Sequence, residues 1–330
     1  MYKDKKILII GGTGTIGTYL TKQLLAYEPK VIRILSRDEY KQYQMSLDFK
    51  EHISRLRFLI GDVRDAQRVT RAMEDVDYVF HLAAMKHVPL CEYNPFEAVK
   101  TNVIGTQNVI QAAIHNHVKR VLFTSSDKAI CPTNTYGATK LTAERLIIAS
   151  DYQKGPKHTV FSAVRFGNVM GSRGSVIPLF KKQILEQRKV TITDLNMLRY
   201  MMTPSEAISL MLKANEIAQG GEVFVLKMPI IKLKDLAEVL IEEVCAKYNI
   251  FDQISIEEIG IRPGEKKWEE LISDDERLIA DETERMYIIP PFHKKNSSSA
   301  KQEVCYTSPQ DELPISKETL RRWIREEQLI

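Results

Sequence analysis

The chain has 330 residues, of which 44% are hydrophobic, and its 47 lysines and arginines nearly balance 43 aspartates and glutamates. Because charges of both signs are interspersed, the composition argues against a protein that binds nucleic acid through a concentrated basic face. No apolar run approaches the ~20 residues that cross a bilayer, and the apolar stretch before Gly11 is too short for a signal peptide. We therefore expect a cytoplasmic protein with neither a membrane nor a nucleic-acid partner.

The first half of the chain alternates short β-branched runs with longer stretches of helical periodicity. Strands are predicted at 7–10, 31–35, 58–60, 78–80, 121–123 and 160–166, and helices at 16–27, 65–74, 94–116 and 136–150. Strands with little polar alternation, separated by helices, indicate a parallel sheet covered on both faces. The predicted fold class is α/β, with a Rossmann-type doubly wound parallel sheet.

Gly11, Gly14 and Gly17 follow the first predicted strand and open the first predicted helix, in the run Gly11-Gly12-Thr13-Gly14-Thr15-Ile16-Gly17. Such glycines let the backbone turn tightly and approach a pyrophosphate, whose charge lies at the helix N-terminus. An ordinary strand-helix turn is the alternative, and the strand-turn-helix context disfavours it. We predict that these residues bind a dinucleotide.

The end of the second strand distinguishes between the two nicotinamide cofactors. An NAD site places a carboxylate there to accept a hydrogen bond from the ribose 2′-hydroxyl. This chain has Ser36 and Arg37 at that point, and a hydroxyl with a guanidinium suits a 2′-phosphate, so we predict NADP. Further predicted cofactor contacts follow the third and fourth strands or lie in the next helix: Asp62, Val63, Ala83, Ala84 and Asn102.

Tyr136 and Lys140 form a Tyr-x-x-x-Lys pair, one helical turn apart on the same helix face. A free tyrosine has a pKa of ~10 and is a poor base at neutral pH. A neighbouring ammonium and a nicotinamide cation would both favour the phenolate, so Tyr136 could take a hydroxyl proton as hydride leaves. The pair alone arises often by chance, but its place beyond the fifth strand favours catalysis, and we expect both residues to contact the cofactor.

Beyond residue 168 the pattern loosens into loops, helices at 178–188, 204–218 and 232–247, and short strands such as 190–193. Insertions at the carboxyl edge of an open sheet form ligand-binding lobes. We predict an NADP-binding domain over 1–167 to which later segments return, a smaller C-terminal α/β substrate-binding lobe over 168–290, and a tail over 291–330. The tail should hold a surface loop at 294–299 and a final helix, capped by Ser316 and docked on the body or on a partner subunit.

The four cysteines, Cys91, Cys131, Cys245 and Cys305, are far apart and form no Cys-x-x-Cys pair. We therefore expect four free thiols in a reducing compartment and no metal site.

The glycine turn and the Tyr-x-x-x-Lys pair resemble the extended short-chain dehydrogenase/reductase family over residues from about 5 to 290. Within it, Ser126-Asp127-Lys128 followed by Pro-x-Asn-x-Tyr-Gly-Ala-Thr-Lys is similar to the UDP-N-acetylglucosamine 4,6-dehydratases. Epimerases lack this acid-base pair, and glucose-type dehydratases carry Asp-Glu. The membrane-linked C5-retaining enzymes usually have Met at the position of Tyr136. With its tyrosine and its short chain, this sequence is similar to the soluble C5-inverting group, which starts pseudaminic acid biosynthesis. Cys131 and Lys267-Trp268 depart from the family pattern.

The resemblance implies a lyase that keeps NADP tightly bound and recycles it within each turnover. Tyr136, supported by Lys140, would remove the C4 hydroxyl proton, and Ser126 would bond the C4 oxygen. Lys128 would take the C5 proton while Asp127 helps the C6 hydroxyl leave as water. Lysine can act as a base only if its pKa of ~10.4 is lowered, which burial and the cofactor's charge would do.

The resemblance also implies the contacts of the substrate, UDP-N-acetylglucosamine, which are Lys86, Asn168, Ser175, Val176, Arg199, Arg262 and Glu265. Helices like that at 94–116 form a dimer interface in this family, so we expect a homo-oligomer. Three alternatives stay open: a C5-retaining dehydratase, a UDP-sugar 4-epimerase or reductase, and an NADP-binding regulator with a dead active site.

Overall fold

The computed structural model describes residues 1–291, 304, 306 and 308–330. The strands within these residues are β1 (Lys6–Ile10), β2 (Val31–Ser36), β3 (Leu56–Ile60), β4 (Tyr78–His81), β5 (Arg120–Thr124), β6 (Val160–Arg165), β7 (Asn168–Val169), β8 (Lys189–Ile192), β9 (Leu198–Met202), β10 (Val223–Leu226), β11 (Ile230–Lys232), β12 (Ser255–Glu258), β13 (Asp281–Glu282) and β14 (Met286–Ile289). The helices are α1 (Thr15–Leu25), α2 (Glu39–Asp48), α3 (Ala66–Ala72), α4 (Val88–Tyr93), α5 (Pro95–Ala98), α6 (Gly105–His115), α7 (Thr135–Gln153), α8 (Val176–Gln187), α9 (Pro204–Ile217), α10 (Leu233–Tyr248), α11 (Asp274–Arg277) and α12 (Lys317–Glu326).

The main sheet has the order β13-β14-β10-β6-β5-β4-β1-β2-β3. The seven neighbouring strands β10-β6-β5-β4-β1-β2-β3 are parallel. At one edge, β14 pairs antiparallel with β10, and β13 pairs antiparallel with β14. Helix α1 packs beside α9, while α3, α6 and α7 pack side by side, which places a helical layer on each face. The predicted doubly wound fold is confirmed, and its switch point lies between β1 and β4, where such sheets open a ligand crevice.

The strands form where apolar β-branched residues follow one another. Ile7, Leu8, Ile9 and Ile10 in β1 are all buried, because helices cover both faces of the sheet. All six strands predicted in the first half of the chain are present at the expected places. The helix predicted at 94–116 is also present, as α5, a π-helical stretch (Val99–Ile104) and α6.

A smaller lobe has its own apolar core. The sheet β11-β9-β7 and the pair β12-β8 pack with α8, α10 and α12 around Phe180, Ile184, Leu236 and Leu240. In between, α9, β10, β13 and β14 return to the core of the main sheet. We keep the division at residue 167 as a proposal, with these later segments assigned to the cofactor-binding unit.

Three helices, α2, α4 and the short α11, were not expected from the sequence. In α2 the apolar residues Tyr40, Tyr43 and Leu47 are exposed, so no apolar stripe marks this helix. Its start is instead set by Asp38, whose side chain accepts a hydrogen bond from the Lys41 amide at 3.0 Å.

The C-terminal helix α12 docks on the body, as expected. Ser316 caps it by accepting a hydrogen bond from the Thr319 amide at 3.2 Å. Leu320 and Ile324 are fully buried against the core of the smaller lobe, and Arg325 pairs with Glu243 of α10 at 2.7 Å.

Cys91, Cys131 and Cys245 are free thiols. Cys305 and the predicted loop at 294–299 lie outside the described residues. Among the described residues, no helix combines the length and the apolar character that crossing a bilayer requires.

Candidate active site

The predicted cofactor turn lies at the switch point of the sheet. Gly11 follows β1 with a φ of +83°, a backbone conformation that residues other than glycine rarely adopt. A Cβ at Gly11 would lie 2.8 Å from the backbone nitrogen of Ala83, so glycine allows the ends of β1 and β4 to come together. The cleft above them is lined by twelve of the predicted cofactor residues: Gly11, Thr13, Gly14, Thr15, Ile16, Gly17, Ser36, Arg37, Asp62, Val63, Ala83 and Ala84.

The end of β2 presents cations to this cleft. Arg37 and Lys41 both line it, and the Arg37 side chain is 60% exposed. The carboxylate of Asp38 is engaged in capping α2 and pairs with Lys41 Nζ at 2.8 Å. Ser36 Oγ accepts from Gln42 Nε2 at 3.0 Å, which leaves its hydroxyl proton for another acceptor. This end of the cleft therefore suits an anionic group.

Asn102 is buried behind the cleft. Its Oδ1 accepts from the Met85 amide at 2.8 Å, and its Nδ2 donates to the Met85 carbonyl oxygen at 3.0 Å and to Thr139 Oγ1 at 2.9 Å. Asn102 thus fixes the segment after β4 against α7. A direct contact of Asn102 with the cofactor stays a prediction.

Asp127 and Lys128 form a short turn after β5. Ser126 Oγ donates to Asp127 Oδ1 at 2.7 Å, and the amide and Nζ of Lys128 donate to the same oxygen at 2.8 Å and 3.2 Å. Burial by itself lowers the pKa of Lys128, but the carboxylates of Asp127 and Glu269 outweigh burial and raise that pKa above its ordinary value. The expectation of a lowered lysine pKa is therefore wrong in this structure, because two carboxylates stabilise the ammonium.

Tyr136 lies in the first turn of α7, beside this pair. Asn134 caps the helix by accepting from the Gly137 amide at 2.8 Å. A Cβ on Gly137 would overlap the carbonyl oxygen of Lys128, so this glycine lets α7 begin directly against the Asp127 turn. Burial raises the pKa of Tyr136, whereas a hydrogen bond with Ser126 and the charge of Lys128 oppose that rise.

Lys140 is buried below Tyr136. Its Nζ donates to the Thr124 carbonyl oxygen at 2.5 Å and lies 4.1 Å from the centre of the Phe123 ring. Burial lowers the pKa of Lys140 to about 7, with Glu144 opposing. The ammonium that lowers the pKa of Tyr136 here is that of Lys128. Support of Tyr136 by Lys140 stays a prediction.

The helix that carries Tyr136 and Lys140 is anchored by a buried ion cluster. Arg165 of β6 pairs with Glu144 of α7 at 2.6 Å and with Glu276 of α11 at 2.8 Å. Arg165 Nη1 also donates to the Leu271 carbonyl oxygen at 3.0 Å. These bonds fix α7 against both the sheet and the segment that precedes α11.

Glu269, in that segment, was missed by the sequence analysis. Its Oε1 lies 3.6 Å from Lys128 Nζ, and its Oε2 lies 3.7 Å from Lys266 Nζ. Lys266 in turn donates to the Ile130 carbonyl oxygen at 2.9 Å, which closes the segment over the Lys128 turn. The nearest sequence signal is the preceding pair Arg262 and Glu265, which the resemblance implies as substrate contacts.

A second cleft lies between α8, β9 and residues 262–265. Six of the seven predicted substrate residues line it: Asn168, Ser175, Val176, Arg199, Arg262 and Glu265. Lys86 lines the cofactor cleft instead. Arg199 also has a structural contact, since it donates to the carbonyl oxygens of Lys266 and Lys267 at 2.9 Å and 2.8 Å.

Arg173 lines the cofactor cleft, and the next residue, Gly174, lines the second cleft. The Arg173 amide donates to Thr15 Oγ1 at 3.0 Å, and its guanidinium donates to the Thr13 carbonyl oxygen. The loop of the smaller lobe thereby closes over the glycine turn. Asp127 and Lys128 follow the end of β5, and Tyr136 lies in the first turn of α7. All three therefore lie at the same carboxyl edge of the sheet as both clefts.

Comparisons with known proteins agree with this arrangement. Pen from Bacillus thuringiensis, known from a crystal structure, is 55% identical in sequence and superposes on this chain with a TM-score of 0.93. The match covers 100% of this chain and 99% of that one. The UDP-N-acetylglucosamine 4,6-dehydratase (inverting) of Campylobacter jejuni is 46% identical over 296 residues, which are 89% of this chain and 85% of that protein. The UDP-glucose 4-epimerase of Rickettsia prowazekii is 42% identical over 294 residues, 88% and 84% of the two chains.

A family model described as "Polysaccharide biosynthesis protein" matches residues 7–291. That span contains the glycine turn, the Asp127–Lys128 turn and both clefts. The chain belongs to this polysaccharide biosynthesis family of extended short-chain dehydrogenases/reductases.

Proposed function

We propose that the protein is an NADP-dependent UDP-N-acetylglucosamine 4,6-dehydratase that inverts C5. The observation that carries the proposal is the ion pair of the buried Asp127 with the half-buried Lys128, beside Tyr136. A tyrosine alone serves an oxidoreductase or an epimerase, whereas loss of water also needs a base for a carbon-bound proton and a path for a proton to the leaving hydroxyl. The 46% identity to the inverting dehydratase of Campylobacter jejuni supports the same substrate and outcome.

The residues of the first cleft fit NADP. The glycine turn and the free amides at the start of α1 suit a pyrophosphate, and Arg37, Lys41 and the Ser36 hydroxyl suit a 2′-phosphate. When bound, NADP supplies a hydride acceptor for the sugar's C4 and a hydride donor for C6. The closure of Arg173 over Thr13 and Thr15 supports a cofactor that stays bound between these two events.

The second cleft fits the nucleotide part of the substrate. Arg199, Arg262 and the Asn168 amide would hold the diphosphate, since cations and amide donors bind phosphate oxygens. Ser175 Oγ is buried with no hydrogen-bond partner among the described residues, so it is available to a ligand in the cleft. Glu265 would bind the ribose or the uracil, and Lys86 would face the sugar.

Tyr136 would take the proton of the C4 hydroxyl. Ser126, whose hydroxyl opposes the rise that burial causes in the pKa of Tyr136, would also bond the C4 oxygen. Because burial raises the pKa of Tyr136, the phenolate depends on the opposing charges around it. Lys128 supplies one of them, and the proposed support from Lys140 would supply another.

Lys128 and Asp127 would then remove water across C5 and C6. The 4-keto group acidifies the C5 hydrogen, and Lys128 takes that proton as a free amine. The 3.2 Å hydrogen bond from Lys128 Nζ to Asp127 Oδ1 gives the proton a path to the C6 hydroxyl, which leaves as water. A proton then returns to C5 on the opposite face, which inverts that centre.

A homo-oligomer, a cytoplasmic location and a place in surface-glycan synthesis, such as that of pseudaminic acid, are part of the proposal. The helix run expected at the interface exposes apolar side chains: Phe96 is 66% and Ile104 is 49% exposed. Burial of such residues between subunits would remove apolar surface from water.

Mass spectrometry of the product tests the reaction class. Purified protein loaded with NADP and given UDP-N-acetylglucosamine should yield a UDP-sugar lighter by one water, without net accumulation of NADPH. An epimerase, which the Rickettsia relative favours, would give a product of unchanged mass. Binding of NADP without conversion of any UDP-sugar would favour the remaining alternative, an NADP-binding regulator with a dead active site.

A further inference from the structure

Glu269 is a buried carboxyl group beside the proposed base, and the mechanism above gives it no part. Its side chain is 4% exposed, and its Oε1 lies 3.6 Å from Lys128 Nζ. Its Oε2 has no hydrogen-bond partner among the described residues, although Lys266 Nζ lies 3.7 Å away. An ionised carboxylate with an unsatisfied buried oxygen is costly, so this position favours a carboxyl that can become neutral.

Lys128 needs a proton acceptor before it can act, because an ammonium cannot take the C5 proton. Two carboxylates are within reach of its Nζ, Asp127 at 3.2 Å and Glu269 at 3.6 Å. Asp127 Oδ1 also accepts from Ser126 Oγ and from the Lys128 amide, whereas Glu269 Oε2 has no hydrogen-bond partner among the described residues. Glu269 has the less stabilised charge, so it is the better holder of the proton.

The charges around Glu269 come from several elements. Lys128 and Asp127 face it from the turn after β5, Lys266 from its own segment and Arg199 from β9. Burial raises the pKa of Glu269, Asp127 adds to the rise, and the three cations oppose it. Since the pKa of Glu269 lies above its ordinary value, this carboxylate is a better proton acceptor than an exposed glutamate.

We propose that Glu269 is a positioning residue that exchanges a proton with Lys128, an inference that rests on the proposed dehydratase function. An N–H bond of Lys128 breaks with its electron pair left on nitrogen, and an O–H bond forms on Glu269 Oε1. An ammonium and a carboxylate thereby become an amine and a carboxylic acid. The amine takes the C5 proton and passes a proton through Asp127 to the leaving hydroxyl. Glu269 holds the exchanged proton and returns it to Lys128 after the turnover.

Glu269→Gln tests the exchange, with Glu270→Gln as the matched control. Glutamine keeps the size of the side chain but cannot take the proton, so kcat should fall about 100-fold while KM changes little. Raising the pH should restore much of the loss, because hydroxide in solvent then removes the proton of Lys128. Glu270→Gln should keep the wild-type pH profile. A Glu269→Gln enzyme with wild-type kcat, or with the same loss at every pH, would overturn the inference.

A titration without substrate separates this inference from the proposed function. In protein with carbon-13-labelled glutamate carboxyls, one NMR signal should titrate above the ordinary glutamate range and vanish in Glu269→Gln. In Lys128→Met the same signal should titrate at still higher pH, because the facing cation is gone. An ordinary titration, or one indifferent to Lys128→Met, would overturn the inference. Failure of the proposed function would show separately, as wild-type protein that does not dehydrate UDP-N-acetylglucosamine.

Discussion

Lys140 Nζ donates to the Thr124 carbonyl oxygen at 2.5 Å, in a pocket where burial lowers the lysine pKa to about 7. The bond fixes α7 to the end of β5, next to the turn that carries Asp127 and Lys128. The same lysine therefore links the position of α7 to a proton that is bound or lost near neutral pH.

This buried lysine predicts a pH-dependent stability. Its pKa of about 7 in the folded chain compares with 10.5 in an ordinary lysine, so between these values the unfolded chain binds more protons. The free energy of unfolding should therefore rise with pH, by about 1 kcal/mol per pH unit from this residue. Urea denaturation of cofactor-free protein should show the advantage of wild type over Lys140→Met growing from pH 7 towards 10.5. An advantage that stays constant or shrinks would contradict the assignment.

Arg37 should select the phosphorylated cofactor. A charge-assisted hydrogen bond is worth about 1.5–3 kcal/mol, so Arg37→Ala should raise the Kd for NADP roughly tenfold to a hundredfold. The Kd for NAD, which has no 2′-phosphate, should hardly change. Fluorescence titration of both cofactors measures the ratio, with Arg71→Ala, an exposed substitution in α3, as the control. Equal losses for both cofactors would mean that Arg37 does not read the phosphate.

Tyr136→Phe should remove the group that takes the C4 hydroxyl proton. The substitution keeps the ring among Cys91 and Ala98 and deletes only the hydroxyl. We expect kcat to fall about 100-fold to 10,000-fold, with NADP binding unchanged. Steady-state kinetics and a cofactor titration on one preparation check both parts. A variant with wild-type kcat would assign this proton to another residue.

The C-terminal helix should contribute to stability through its buried face. Leu320 is fully buried in the core of the smaller lobe, so Leu320→Ala should cost about 2–5 kcal/mol of unfolding free energy. Arg322→Ala, at an exposed position of the same helix, should cost little. Chemical denaturation compares the two variants. Equal effects would show that α12 does not dock as described.

Local patterns predicted the parts of the site that adjoin a strand or a helix end. The glycine turn was located because Gly11 directly follows the β-branched strand β1, and Tyr136 and Lys140 because one helical turn separates them. Ser36 and Arg37 were found in the same way, from their place at the end of β2.

Contacts between residues that are far apart in the sequence could not be predicted from it. Glu269 reaches Lys128 only after the chain has returned from the smaller lobe, so no spacing could place them together. The pKa of Lys128 was predicted with the wrong sign because the carboxylate of its neighbour Asp127 was left out and the approach of Glu269 could not be foreseen. The role of Arg173 as a bridge to Thr15 also needed the folded arrangement of the two clefts.

We propose that Lys128 and its neighbours remove water from UDP-N-acetylglucosamine and invert C5. The most direct measurement is proton NMR of the product formed in deuterated water by the protein loaded with NADP. We expect a C6 methyl group, deuterium at C5, and the C5 coupling pattern of the inverted sugar. A product that keeps its C6 hydroxyl, or whose C5 retains the configuration of the substrate, would contradict the proposal.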